Sequence, residues 1–241
     1  MKVSFDIIAG KEAPLKLSQA ILLYEGDRGV CFASAHGIDA SGKQPLILEG
    51  RAFTSEAAVR LALELSNNAM RGGFVPPELL YLDGNAMAWW VPPARRHIAF
   101  RSEKLGAPER GEVVPHPGLV FRAEHGRRWG VWAVKGSERP HEGTPLYQAP
   151  YFNVYADGGI CTGNVHLPDG TTAERIKAWN DAFFGSFFTH PNVQGKLVAY
   201  KGGTFKFWTD MLDGRHREFP EHVLVPSQRT LGQMLGLRDQ A

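Results

Sequence analysis

The residues best suited to chemistry in this chain gather around one cysteine. Cys161 follows the glycine turn Asp157-Gly158-Gly159 and precedes the small residues Thr162-Gly163-Asn164. Asn153 stands eight positions earlier (161 − 153). A thiol flanked by so little bulk is reachable by solvent, and a nucleophile has to be. A lone cysteine is also a common packing residue, so both readings stand at this point. His166 and His190 each offer a base, which makes a Cys/His hydrolase a third reading. With nine histidines in the chain, such a partner is easily found by chance. Asp157 reads as a turn residue first and an acid second.

Other chemistries leave no trace. The chain has no Gly-rich phosphate loop of the Lys-Ser/Thr type, no dinucleotide fingerprint, no His-Glu-x-x-His and no Cys-x-x-Cys. The histidines are scattered rather than paired at ligand spacing, so no metal and no cofactor is expected. A net charge of +2 argues against a dedicated nucleic-acid surface, which would carry a strong basic excess. Two cysteines, Cys31 and Cys161, make no disulfide framework and suit a reducing compartment. The opening Met1–Asp6 has no long apolar stretch behind a basic region. No run approaches the roughly 18 apolar residues of a membrane span. A cytoplasmic protein is expected.

With 241 residues, 43% of them hydrophobic, the chain can bury a sizeable core. Residues 1–53 read as a small meander. Its apolar runs are Phe5–Ile8, Ala20–Tyr24, Val30–Ala33 and Leu46–Leu48, and Glu25–Gly29 and Ala40–Lys43 punctuate them. Cys31 lies inside one run and reads as a buried structural thiol. Thr54 or Ser55 caps a helix running to about Asn67, with Val59, Ala62 and Leu63 on one face. Strands follow at Glu78–Tyr81, Met87–Val91, His97–Phe100, Leu119–Arg122 and Trp129–Val134, with His125-Gly126-Arg127 as a hairpin turn. Residues 103–118 and 136–150 read as polar loops rich in Pro and Gly, the second suited to a lid, a docking surface or a plain insertion. After Cys161, a capping box of Thr171 and Glu174 starts a helix to about Phe188. Ile176, Trp179, Phe183 and Phe187 form its core stripe, and Thr189-His190-Pro191-Asn192 ends it. The tail holds an apolar segment, Thr204–Trp208, and a helix from Ser227 to Leu235.

The run Asn153-Val154-Tyr155-x-x-Gly158-x-Ile160-Cys161 resembles the active-site segment of ubiquitin-conjugating enzymes, with the SUMO-conjugating type as its nearest echo. The Asn-to-Cys spacing is the same. In that family the helix after the cysteine ends in a Pro-Asn loop bordering the site, and here Pro191-Asn192 lies 31 residues beyond Cys161. Pro145–Asn153 and the stretch from Phe183 to His190 are similar to a bacterial branch, the PRTRC system protein B group, also called prokaryotic family D. The chain departs from the family at Tyr151-Phe152, where His-Pro is usual, and at Thr162-Gly163 just after the cysteine. The family's Trp-Ser-Pro a few residues later is missing. Gly195 stands where an acidic residue often assists the attacking lysine.

The resemblance implies an α+β fold: an antiparallel meander with flanking helices over 54–241, with residues 1–53 as an N-terminal β-rich extension. It implies that Cys161 accepts a ubiquitin-like protein as a thioester from a ThiF-like activating enzyme and passes it to an amine. Asn153 would donate to the developing oxyanion or hold the loop that does so; its plain alternative is a loop asparagine bonding backbone. Tyr155 would line the groove for the incoming lysine or pack on the strands, and His190 could stand in as a base. A JAB-type metallopeptidase is expected in the same pathway. The rival reading is a non-catalytic scaffold that binds the ubiquitin-like partner.

Overall fold

The computed structural model describes residues 17–237 apart from positions 28, 43, 70–74, 84, 125–127 and 164. The strand expected at Phe5–Ile8 and the turn at His125–Arg127 lie outside the described residues. The chain divides into two compact units, Met1–Gly73 and Phe74–Ala241. The first helix, placed in the second domain by the sequence, belongs to the first of these units.

The first unit is the meander read from the sequence. Strands β1 (Gln19–Gly26), β2 (Gly29–Asp39) and β3 (Leu46–Ala52) pair antiparallel in that order. Cys31 lies on β2, and its side chain falls outside the description. Helix α1 (Ser55–Ala69) follows, capped by Thr54, whose Oγ1 accepts the Ala57 N–H at 3.3 Å. Among the described side chains of α1, Ala57 and Leu61, one helical turn apart, are half-buried. Val59 and Leu63, expected to face the core, are exposed instead.

The second unit is built on alternation. Strands β4 (Leu79–Leu82), β5 (Ala86–Val91), β6 (Ala94–Ser102), β7 (Ala107–His116), β8 (Gly118–Glu124), β9 (Arg128–Val134) and β10 (Pro145–Gln148) are followed by helix α2 (Ile176–Phe184) and the short strand β11 (Phe187–Phe188). Helix α3 (Gly203–Leu212), strand β12 (Pro226–Thr230) and helix α4 (Leu231–Leu235) complete it. Six strands form one sheet in the order β12-β10-β9-β8-β5-β4, and β11-β6-β7 form another. Along β5, β8 and β9, alternate residues (Met87, Trp89, Val91; Leu119, Phe121, Ala123; Trp129, Val131, Ala133) belong to one cluster with the α2 stripe. The residues between them, Val120, Trp132 and Val134, pack with Leu146, Leu231 and Met234 of β10 and α4.

Several expectations are corrected. Residues 107–116 are a strand, paired antiparallel with β6, not a loop. Because β7 is an edge strand, Pro108 and Pro115 cost it little, since an edge leaves alternate N–H groups unneeded. Residues 145–148 form β10, so only part of the second expected loop is irregular. Thr171 and Glu174 form no capping box: a 3₁₀ turn, Ala173–Arg175, leads into α2 without a side-chain cap. The helix ends at Phe184, where Gly185 closes it, so Phe187 leaves the stripe and is exposed on β11, under the Arg101 guanidinium at 4.3 Å. Ile176, Trp179 and Phe183 are buried as expected. The last helix starts at Leu231, where Thr230 and Gln233 make a reciprocal capping box, and Pro226–Thr230 is a strand on β10. No helix among the described residues is long and apolar enough to cross a membrane.

Tyr151 and Phe152 are fully buried. Tyr151 packs against Phe183, Phe188 and Trp208; Phe152 packs against Phe100 and Phe205. The Tyr151 hydroxyl is 2.7 Å from His116 Nδ1, and His116 Nε2 is 3.2 Å from the Arg96 carbonyl. A carbonyl can only accept, so Nε2 carries the proton and Tyr151 donates to Nδ1. Burial pushes the His116 imidazole down to about 4. The unfolded chain therefore binds the extra proton between pH 6.5 and about 4, and stability falls as pH drops through that window. His116 alone should account for a loss of about 3 kcal/mol across it. Urea unfolding of wild type and His116→Gln at pH 7, 6 and 5 checks this. The variant should show a flatter pH dependence, and an unchanged slope would count against the buried neutral imidazole.

Candidate active site

The site begins where the buried stem ends. After Phe152, Asn153 adopts a left-handed backbone, φ 60°. Asparagine tolerates this conformation better than most residues because its short polar side chain bonds locally. Its backbone N–H donates to the His190 carbonyl at 2.9 Å, and its carbonyl accepts the Cys161 N–H at 2.7 Å. Its carboxamide Nδ2 donates to the Phe187 carbonyl at 3.0 Å, while Oδ1 accepts the Thr189 N–H at 3.2 Å and the Thr189 hydroxyl at 2.7 Å. Asn153 thus joins the cysteine strand to the chain beyond α2.

Between Asn153 and Cys161 the chain makes a small hairpin. Val154 and Ile160 bridge antiparallel, and Tyr155 N–H donates to the Gly159 carbonyl at 2.8 Å. The Asp157 carboxylate accepts the Gly159 N–H at 2.9 Å, an Asx turn. The hairpin docks on β9, with Val131 N–H on the Gly158 carbonyl and Ile160 N–H on the Trp129 carbonyl. Gly158 sits at φ 90°, and a Cβ there would lie 2.2 Å from the Trp132 indole. Glycine is required on both counts.

Cys161 is a free, half-buried thiol at the end of this hairpin. The Tyr155 side chain, 45% exposed, is a neighbour of Cys161. Its interaction with Cys161 raises the phenol above its ordinary range, with a smaller contribution from the charge of Asp157. A cavity of about 600 Å³ opens alongside, lined by Tyr155, Asp157, Ile160 and Thr162 of the hairpin and by Trp129 and Trp132 of β9. Trp129 Nε1 is buried there without a partner.

The structure therefore brings Cys161, Asn153 and Tyr155 together and puts Asp157 at the hairpin tip. His190 reaches the group through its backbone, and its imidazole Nδ1 is 2.9 Å from the Thr189 hydroxyl. Gly195 lies at φ 115°, which an acidic side chain would enter only with strain. Sequence reasoning passed over Thr189 and Trp132. Thr189 joins the site only through tertiary hydrogen bonds, whereas the Gly158-Gly159 pair, read as a tight turn, also permits the close approach of Trp132.

A family model, prokaryotic E2 family D, matches residues 56–227, more than half of the chain. The chain belongs to prokaryotic E2 family D. Its mixed α+β architecture, with mostly antiparallel sheets and few helices, is consistent with an E2-like fold. Membership brings with it ubiquitin-like conjugation as the family's general activity, with an activating enzyme and a ubiquitin-like modifier as its general partners. The match runs across the division between the two compact units, so α1 is part of what family D members share. No curated protein and no solved structure matches the chain.

Two variants test this geometry. Asn153→Ala should lose about 2 to 3 kcal/mol, from left-handed strain and three side-chain bonds, and Asn153→Gly about 1 kcal/mol less. Equal losses in urea unfolding would mean that the left-handed backbone adds nothing. Tyr155→Ala should speed alkylation of Cys161 by iodoacetamide several-fold, because losing the neighbouring ring uncovers a half-buried thiol. Mass-spectrometric mapping follows each cysteine separately, and an unchanged Cys161 rate would remove Tyr155 from the site.

Proposed function

We propose that this family D member is a conjugating enzyme in which Cys161 carries a ubiquitin-like protein as a thioester. The observation that carries the reading is the placement of Cys161. Its N–H is fixed to the Asn153 carbonyl, and its thiol is free and half-buried at the end of the hairpin docked on β9. The Cys161 thiolate attacks the carbonyl carbon of the thioester on a ThiF-like activating enzyme. A new S–C bond forms as the old one breaks, and the activating enzyme's cysteine leaves as thiolate. An amine then displaces Cys161 in the same manner. Asn153 has one N–H committed to Phe187, which supports its role in holding the cysteine loop over a direct role on the oxyanion. The setting is a cytoplasmic PRTRC-type cassette that also supplies the ubiquitin-like protein and a JAB-type metallopeptidase.

A non-catalytic scaffold is the second reading, favoured by one observation: Gly195 at φ 115° leaves that loop position without an acid. One experiment separates the two. The protein is mixed with the ThiF-like enzyme, the ubiquitin-like protein and ATP, and run on a non-reducing gel. The expected result is a reductant-sensitive adduct absent from Cys161→Ala. If the activating enzyme charges itself and no adduct follows, with the modifier still pulled down, the scaffold reading replaces the conjugating one.

A further inference from the structure

The segment after β11 holds a hydrogen-bond chain whose directions are fixed by its chemistry. The Asn153 carboxamide is bounded by the Phe187 carbonyl on one side and the Thr189 N–H on the other. Reversing the amide would set acceptor against acceptor and donor against donor, so Oδ1 faces Thr189. The Thr189 hydroxyl is 2.7 Å from Oδ1, which has no hydrogen, so the hydroxyl proton must be donated there. That leaves the Thr189 oxygen as an acceptor for its other partner, His190 Nδ1 at 2.9 Å. His190 Nδ1 therefore carries a proton, and in the neutral imidazole the lone pair is on Nε2. The His190 ring is exposed, so nothing in its burial shuts Nε2 from an incoming group.

From this we infer that Thr189 is a positioning residue that holds His190 as the Nδ1–H tautomer and so presents Nε2 as the base for aminolysis of the Cys161 thioester. The inference rests on the conjugating reading above. Two further observations support it. Asn153 gives its N–H to the His190 carbonyl and its carbonyl to the Cys161 N–H, so one residue separates the two in the hydrogen-bond network. Gly195 at φ 115° cannot easily carry a carboxylate, so that position of the loop offers no acid to take the proton. In the step itself, His190 Nε2 takes a proton from the attacking ammonium. The amine nitrogen bonds to the thioester carbonyl carbon, the C–S bond breaks, and Cys161 leaves with the electron pair. The second proton of the new amide nitrogen passes to the departing thiolate.

The test has two independent readouts. Long-range ¹H–¹⁵N spectra of histidine-labelled full-length protein, with His190 assigned by its loss in His190→Gln, read the tautomer directly. Wild type and Thr189→Ser should show Nδ1–H, and Thr189→Val should move toward Nε2–H. The second readout loads Cys161 from a short glycine-terminated peptide thioester and follows discharge to n-butylamine in single turnover. Measured on the loaded fraction, His190→Gln should slow discharge about 100-fold and Thr189→Val about 10-fold, with Thr189→Ser close to wild type. In the His190→Gln background, Thr189→Val should add nothing. An Nε2–H tautomer in wild type overturns the proposal. So does a Thr189→Val effect that persists without His190, because it would act through Asn153 alone. If Cys161 does not load from the thioester, the acyl-carrier reading and the aminolysis role fall together, while the spectrum still decides the tautomer by itself.

Discussion

Everything near the candidate nucleophile depends on how Asn153 is seated. Its left-handed backbone turns the chain out of the buried stem and into the hairpin. Its two backbone groups bind Cys161 on one side and His190 on the other, and its carboxamide binds the chain between Phe187 and Thr189. Glycine would supply the turn without the side-chain bonds, and alanine would supply neither at low cost. Asparagine answers both needs at once, which gives it a structural reason to stand there before any role in catalysis is considered.

That seat is only as firm as the stem beneath it. Tyr151 and Phe152 are driven into an aromatic core made by β6, α2, β11 and α3, and the Trp208 indole donates to the Pro150 carbonyl at 2.8 Å. On the other side, β9 receives the hairpin through backbone bonds and through Trp132, which fits over Gly158. The cysteine is thus placed by sheet and helix together, and the loop between them has little freedom of its own. Preorganisation of this kind suits a thiol that must meet a large acyl donor in one geometry.

How much of this was legible in the sequence depended on whether the signal was local. The strands β5, β8 and β9 announced themselves by apolar runs, and the stripe Ile176, Trp179 and Phe183 by helical spacing. The hairpin before Cys161 was readable from Asp157-Gly158-Gly159. Strand β7 was not, because Pro108 and Pro115 read as loop residues until its edge position is known. Phe187 looked like one more turn of the stripe because the local stop signal at Gly185 was passed over. The roles of Thr189 and Gly195 rest on tertiary hydrogen bonding and on a positive φ, neither of which leaves a periodic mark. Elimination and the family resemblance pointed to the cysteine and the resemblance to the asparagine; the physical account of what the asparagine does came from the structure.

The claim on which the rest depends is that the acyl group sits on Cys161. Peptide mapping of the wild-type adduct under acidic, non-reducing conditions addresses it directly. The account predicts the modifier's C-terminal remnant on the peptide containing Cys161, released by thiol. A remnant on the Cys31 peptide or on a lysine, or an association with no covalent bond, would contradict it.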